Sequence, residues 1–378
     1  MILSPEHEQL RDSLRRFARE RLAPRAAERD RSRAFPREDL QALAAMGLFG
    51  VSVPEQWGGA GMDGSALAIA CEEISAGEGA TGTIIAVNNL VAGILAGYGN
   101  DAQKTQFLQP LARGAMLGAF ALTEPQVGSD AGAITTRAER RGDRYLINGV
   151  KQFITSGQTA DLAVVFAVTD KSAGKKGISA FIVPTATPGY RVARLEEKAG
   201  QHASDTAQIA LEDCAVPAAN LLGEEGLGYR IALANLESGR INIAAQATGM
   251  AQAALDAALA YAKERTSMGK RLIEHQAVAF HLADMATSIE AARQLYLHAA
   301  SLRDAGRPCL KEASMAKLYA SDMAEKVASE AMQLHGGYGY TADFPVERIW
   351  RDVRVCRIYE GANDIQRMLI ARTLAEGN

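Results

Sequence analysis

The chain has 378 residues, 48% hydrophobic and 22% charged, which gives about two or three domains and ample material for buried cores. Lys plus Arg number 41 against 44 Asp plus Glu, and a formal charge of −3 gives no electrostatic reason to expect nucleic acid or an anionic membrane as partner. The four cysteines, Cys71, Cys214, Cys309 and Cys356, are widely spaced with no CxxC pair, which argues against a zinc site or a disulfide framework and fits a reducing compartment.

The N-terminus, MILSPEHEQLRDSLRRF, scatters acids and bases from residue 6 onward and lacks the apolar core of a secretory signal. From Ser4 to about Arg113 the pattern is helical. Pro5 sits where a first-turn proline is tolerated, and Leu10, Leu14, Phe17 and Leu22 recur at helical intervals. The most apolar run, residues 84 to 99, is broken by Asn88-Asn89 and glycines and reads as too short to cross a bilayer, so a soluble, cytoplasmic protein is expected. Gly59, Gly61 and Gly64 spell a literal GxGxxG. No parallel strand ending in an acidic residue follows, so they read as a glycine-rich loop between helices rather than a dinucleotide fingerprint.

Between about 118 and 225 the texture becomes β-rich, with YLI, FIT, LAVVFAV and ISAFIVP separated by turn residues, and Asn148-Gly149 is a hairpin signal. From Gly226 onward helices return over 229–264, 274–304 and 311–334. With the C-terminal tail they predict a four-helix bundle. The fold class is therefore α+β in three parts: an N-terminal helical domain (1–117), a middle β barrel or sandwich (118–225) and a C-terminal four-helix bundle (226–378). The order helices, strands, helices, with no repeated βα alternation, argues against a parallel nucleotide-binding sheet.

Several segments could carry chemistry. FALTEPQVGSD (120–130) gathers Thr123, Gly128 and Ser129 around Pro125, and KQFITSG (151–157) adds Phe153, Thr155 and Ser156. Together they offer hydroxyls, free N–H groups and an aromatic face to a heteroaromatic ring, although each alone is an ordinary hydroxyl-capped turn. KERTSMGKRLIEHQAV (263–278) places Arg265 and Lys270 around a bend before a helix containing Gln276, which suits a pyrophosphate. An equally simple reading is a helix C-cap at Gly269. QLHGGYGY (333–340) ends a helix in paired glycines that let a ligand or a second chain approach the backbone, or simply stop the helix. RIYEGANDIQR (357–367) sets Glu360 between a tyrosine and a glycine, with Asn363 or Asp364 as cap of the following helix. Glu360 is a poised base or a solvated side chain. No HExxH or GxSxG occurs, and the six histidines form no metal-binding pattern.

In order and spacing these segments resemble the signatures of the flavin-dependent acyl-CoA dehydrogenases, over essentially the whole chain. Residues 120–130 are similar to that family's LTEP-x-x-GSD signature, 151–157 to its flavin loop, 265–276 to its Arg-x-x-x-Gly...Gln segment and 357–367 to its YEG-x-x-x-IQR signature. The resemblance implies FAD held between the β domain and the bundle, partly by a neighbouring subunit of a homotetramer. Phe120, Leu122, Thr123, Gly128, Ser129, Phe153, Ile154, Thr155, Ala362, Asn363 and Asp364 match its flavin-binding positions. Arg265, Ser267, Met268, Gln276, Gln333, Leu334, His335, Gly336 and Gly337 match positions holding the distal half of the cofactor. Ser129, Glu237, Arg240, Tyr359 and Gly361 match substrate-contacting positions, and Glu360 matches the base that takes the α-proton of a short or short branched acyl-CoA while a hydride leaves the β-carbon, giving a trans-2-enoyl-CoA.

Relatives with the base on the bundle helix carry it at the position of Gly239, which here has no acid. The resemblance also implies an electron-transfer flavoprotein as partner. Departures are Phe153 in place of the usual tryptophan, Ala362 in place of a frequent threonine, and His202 in place of an arginine. A flavin oxidase of the same fold and a non-catalytic, nucleic-acid-binding flavoprotein are the competing readings. The absent basic excess speaks against the second.

Overall fold

The computed structural model describes residues 3–376. Helices α1 (Pro5–Phe17), α2 (Ala23–Ser32), α3 (Arg37–Ala45), α4 (Gly64–Gly77), α5 (Gly79–Tyr98), α6 (Asp101–Gln103) and α7 (Gln109–Ala112) form the first part. Pro5 opens α1 and Ser4 caps it, its hydroxyl accepting from the His7 N–H at 3.2 Å. α5 is 20 residues long, so by length and composition it could span a membrane, contrary to the expectation for 84–99. It is instead a core helix: nearly every residue from Gly79 to Leu95 is buried, and its Asn88 and Asn89 are satisfied by backbone carbonyls of Phe49 and Leu48.

Gly59 and Gly61 lie in the loop before α4, and Gly64 is the first residue of that helix. The first N–H groups of that helix are already taken by carboxylates: Asp304 accepts from Gly64 at 2.7 Å and Ser65 at 3.0 Å, and Asp63 from Ala66 at 2.8 Å. The anion that a helix N-terminus attracts is thus supplied by the chain itself.

An eight-stranded sheet follows, made of β1 (Gly118–Ala121), β2 (Arg137–Arg141), β3 (Arg144–Thr155), β4 (Leu162–Val168), β5 (Ile178–Pro184), β6 (Tyr190–Leu195), β7 (Thr206–Pro217) and β8 (Leu221–Leu222). Its order is β6-β7-β3-β2-β4-β5-β8, with β1 parallel to β4. The continuous apolar runs of β4 and β5 are covered on both faces, whereas β6 is a largely exposed edge. Asn148-Gly149 is not a hairpin turn. It sits inside β3 at a bulge, where Asn148 exchanges hydrogen bonds with Asp213 and a Cβ on Gly149 would stand 2.4 Å from the Thr136 hydroxyl. The β2–β3 turn is Gly142-Asp143, with Gly142 at φ +61°.

The bundle comprises α8 (Gly228–Glu264), a small hairpin of β9 (Thr266–Ser267) and β10 (Lys270–Arg271), α9 (Gln276–Asp304), α10 (Leu310–His335), α11 (Val346–Val353) and α12 (Asn363–Ala375). Every residue of α8 from Gly239 to Ala251 is buried, as expected of a helix surrounded by partners. Gly269 is no helix cap. With Met268 it forms the two-residue turn of the hairpin, both residues at positive φ, while α8 ends at Arg265.

Candidate active site

Glu360 lies in the turn before α12. Its backbone occupies the left-handed region at φ +53° and Gly361 follows at +88°, a conformation a glutamate adopts only when its surroundings enforce it. Its Oε2 is cut off from solvent and has no hydrogen-bond partner among the described residues. It faces α8: a Cβ on Gly239 would stand 2.4 Å from that oxygen and 3.4 Å from Leu90 of α5. Burial pushes the Glu360 carboxyl up to about 7, against the pull of Arg240 and Lys317. Arg240 is itself buried, with its Nε unpartnered. Glu237, one helical turn earlier, accepts from the Cys309 thiol at 3.1 Å. Tyr359 donates to Gln246 at 2.7 Å, and Gln246 in turn donates to the Gly79 carbonyl at 3.0 Å and the Thr83 hydroxyl at 2.5 Å. An unsatisfied carboxylate, poised near neutrality in a space kept open by a glycine, is equipped to take a proton from a carbon acid.

The two β-domain loops are brought together by a buried ion pair that the sequence did not announce. Lys151 donates to Glu124 at 2.9 Å and to the Leu122 carbonyl at 3.0 Å, while Glu124 also accepts from the Thr135 and Thr136 N–H groups. Burial raises the Glu124 carboxyl, but Lys151 and these N–H groups outweigh it and hold the group at about 2. Phe120 packs edge-on against Phe166 at 5.1 Å. Leu122 and Ile154 are buried, Thr123 and Thr155 are half-buried, and Gly128 and Ser129 are exposed. A second bulge turns Phe153 out at φ +58°, leaving it 63% exposed, and the buried hydroxyl of Ser156, three residues on, has no partner among the described residues. An exposed aromatic face and an orphaned hydroxyl on the same loop are compatible with a bound heteroaromatic ring.

A separate cleft of about 490 Å³ is lined by Arg265, Ser267, Gln333, Leu334, His335, Gly336 and Gly337, together with Tyr261 and Tyr338. His335 stacks on Tyr261 at 4.4 Å, its Nδ1 bonds the Ala331 carbonyl at 2.8 Å, and its buried Nε2 has no partner among the described residues. Met268 is 94% exposed at the hairpin tip and Gln276 is the first residue of α9 rather than inside it; neither lines the cleft. Around α12 two expectations change. Ala362, not Asn363 or Asp364, is the N-cap residue. The Asn363 side chain turns inward to Lys317, Ser321 and Asp322, and Asp364 is exposed and paired with Arg367 at 3.1 Å. Lys317 also escaped the sequence reading, since nothing in its helical context marks it as facing residue 361.

Family models of the acyl-CoA dehydrogenase N-terminal, middle and C-terminal domains match residues 4–115, 119–214 and 226–375. The chain belongs to the acyl-CoA dehydrogenase family. It is 47% identical over 378 residues to an acyl-CoA dehydrogenase of Bacillus subtilis (strain 168), all of both chains being covered. It is 46% identical over 370 residues to the mitochondrial short-chain specific acyl-CoA dehydrogenase of Rattus norvegicus, covering 98% of this chain and 90% of that one. Butyryl-CoA dehydrogenase from Megasphaera elsdenii superposes with a TM-score of 0.97 at 41% identity over 99% of both chains. This acyl-CoA dehydrogenase is thus an FAD-dependent oxidoreductase by family, and the exposed Phe153, the orphaned Ser156 hydroxyl and the open Arg265 cleft are compatible with such a cofactor.

Proposed function

We propose that the protein dehydrogenates a short straight or short branched acyl-CoA at its α,β bond, with Glu360 as the base. The observation that carries this reading is the Oε2 of the half-buried Glu360, shielded from solvent and without a hydrogen-bond partner among the described residues, beside the notch left by Gly239. Two of the relatives above bear short-chain or butyryl names. Leu90 and the absence of a side chain at Gly239 define the space beside the carboxylate.

The proton α to a thioester is weakly acidic, so the base must meet it in fixed geometry and in a site shielded from water. Glu360 does the first through its enforced backbone and the second through burial, which brings its proton affinity toward that of the activated carbon acid. A general base so positioned contributes roughly a hundredfold to ten-thousandfold. Arg240 opposes the effect of burial and favours the ionised carboxylate. Phe153, Thr123, Thr155 and Ser156 would hold the flavin ring, and Arg265 and the 333–337 turn the distal half of a cofactor bound by the adjoining subunit of a homotetramer. FAD, when bound, would supply the acceptor for the β-hydride, with an electron-transfer flavoprotein as the partner that would take the electrons on.

Glu360→Gln is expected to remain folded, yellow and FAD-loaded while losing reductive bleaching by butyryl-CoA under anaerobic conditions. Bleaching at the wild-type rate would place the base elsewhere. Arg265→Ala is expected to lose FAD on gel filtration while reloaded enzyme bleaches at a near wild-type rate; unchanged FAD content would count against the distal site.

A further inference from the structure

The turn that carries Glu360 is held from beneath by one buried cation. Lys317 of α10 is fully buried, and its Nζ donates to the Gly361 carbonyl and to the Asn363 Oδ1, both at 2.8 Å. Gln366 of α12, also fully buried, donates to the same Gly361 carbonyl at 2.8 Å. Asn363 is fixed in turn by Ser321 at 2.9 Å and Asp322 at 2.8 Å. Two consecutive residues at positive φ, one of them a glutamate, are thereby tied at the carbonyl that follows the strained residue. A neutral donor would satisfy that carbonyl. A lysine in this position also places a charge in a water-excluded region close to the carboxylate, where charge interactions are strongest.

We propose that Lys317 is a positioning residue for Glu360, whose ammonium clamps the Glu360–Gly361 turn through the Gly361 carbonyl and Asn363 and supplies a fixed positive charge that favours the ionised carboxylate. The inference rests on Glu360 being the base.

The charged and titratable groups around the carboxylate come from three elements. α8 contributes Arg240, with Glu237 behind it. α10 contributes Lys317, with Asp322 behind it. The segment before α12 contributes the buried Cys356 thiol and Tyr359. Burial lowers Lys317 to about 8, and Glu360, Asp322 and Cys356 keep it from falling further. Lys317 is therefore predominantly charged at the pH where Glu360 titrates. Removing that charge leaves Arg240 alone against the desolvation of Glu360, so the acid limb of the activity must move to higher pH.

The test uses FAD-loaded Lys317→Met and Lys317→Gln beside wild type and Glu360→Gln, reading anaerobic bleaching by butyryl-CoA per bound FAD from about pH 5 to about pH 9. Lys317→Met is expected to lower the limiting rate roughly tenfold to a hundredfold with little change in KM, and to raise the acid limb by about half a pH unit or more. Lys317→Gln, which keeps a donor but no charge, is expected to recover rate while its limb stays raised. A limb at the wild-type position in Lys317→Gln overturns the proposal, even where Lys317→Met cannot be purified and whatever the rates. If Glu360→Gln bleaches normally, the base assignment has failed; if Glu360→Gln is inert and the Lys317 variants keep the wild-type limb, only this inference has.

Discussion

The Glu360 carboxylate is held in a form that folding alone would not choose. Burial raises the Glu360 carboxyl from its ordinary value to about 7, so between about pH 4.5 and about pH 7 the folded chain holds a proton that the unfolded chain has released. A group with a raised folded value favours the folded state below its unfolded value, and that contribution is lost as pH rises through the folded one. Wild type therefore carries an ionisation penalty at slightly alkaline pH that Glu360→Gln lacks. The amide variant should be the more stable by on the order of 1 to 3 kcal/mol at about pH 8, and the difference should shrink toward about pH 5. Chemical denaturation of both proteins at the two pH values measures this; a difference independent of pH would mean that Glu360 is not desolvated as the structure has it. Activity has the opposite sign. With Glu360 as the proposed base the ionised form is the active one, so kcat/KM should climb through an acid limb near the same value.

At the level of elements, the site depends on how closely α8 can approach its neighbours. Its central run of small residues lets α4 come so near that a Cβ on Gly249 would stand 2.0 Å from the Glu72 carbonyl oxygen. α4 cannot easily withdraw, because Glu72 accepts from Arg293 of α9 at 2.7 Å and from the buried Tyr296 hydroxyl. Gly249→Ala should therefore destabilise by about 3 kcal/mol, the upper end for overpacking, seen as a lowered thermal midpoint, and a neutral outcome would show that the helices have room to part. Helix extents were legible in the sequence because 3.6-residue periodicity persists over many turns: 229–264 became Gly228–Glu264 and 311–334 became Leu310–His335. Turn chemistry was less legible. Asn148-Gly149 carries a hairpin dipeptide, yet Gly149 is there because Thr136 packs against its Cα, and Gly269 serves a hairpin rather than a cap. Glu360 and the loops at 120–130 and 151–157 were singled out through motif order. The pairs that hold them, Lys151 with Glu124 and Lys317 with Gly361, were not, since partners 27 and 44 residues apart leave no local signal.

Across the whole molecule, all three parts meet at Asp30 of α2. Its carboxylate accepts from Arg351 of α11 at 2.6 Å and lies 2.9 Å from Nδ1 of His202, a β-domain loop residue whose Nε2 faces the Lys198 carbonyl at 2.7 Å. This gives His202, which stands at an arginine position of the family pattern, a place as a tie between the β domain and the N-terminal helices. Next to it a chain of polar groups runs from Asp352 through Gln201, Thr83 and Gln246 to Tyr359, the residue before Glu360. Loss of the Asp30 carboxylate leaves the Arg351 guanidinium largely shielded from water with only Glu347 as a carboxylate partner, at 2.8 Å. Asp30→Ala should lower stability by on the order of 3 kcal/mol. Arg351→Ala removes the same contact, so the double variant should cost less than the sum of the singles by about 1 kcal/mol or more. Because the polar chain ends at Tyr359, these variants should also lower the bleaching rate at saturating butyryl-CoA while FAD content is held equal. Additive stabilities in that cycle, together with an unaltered bleaching rate, would mean that the three parts fold and the site forms without this junction.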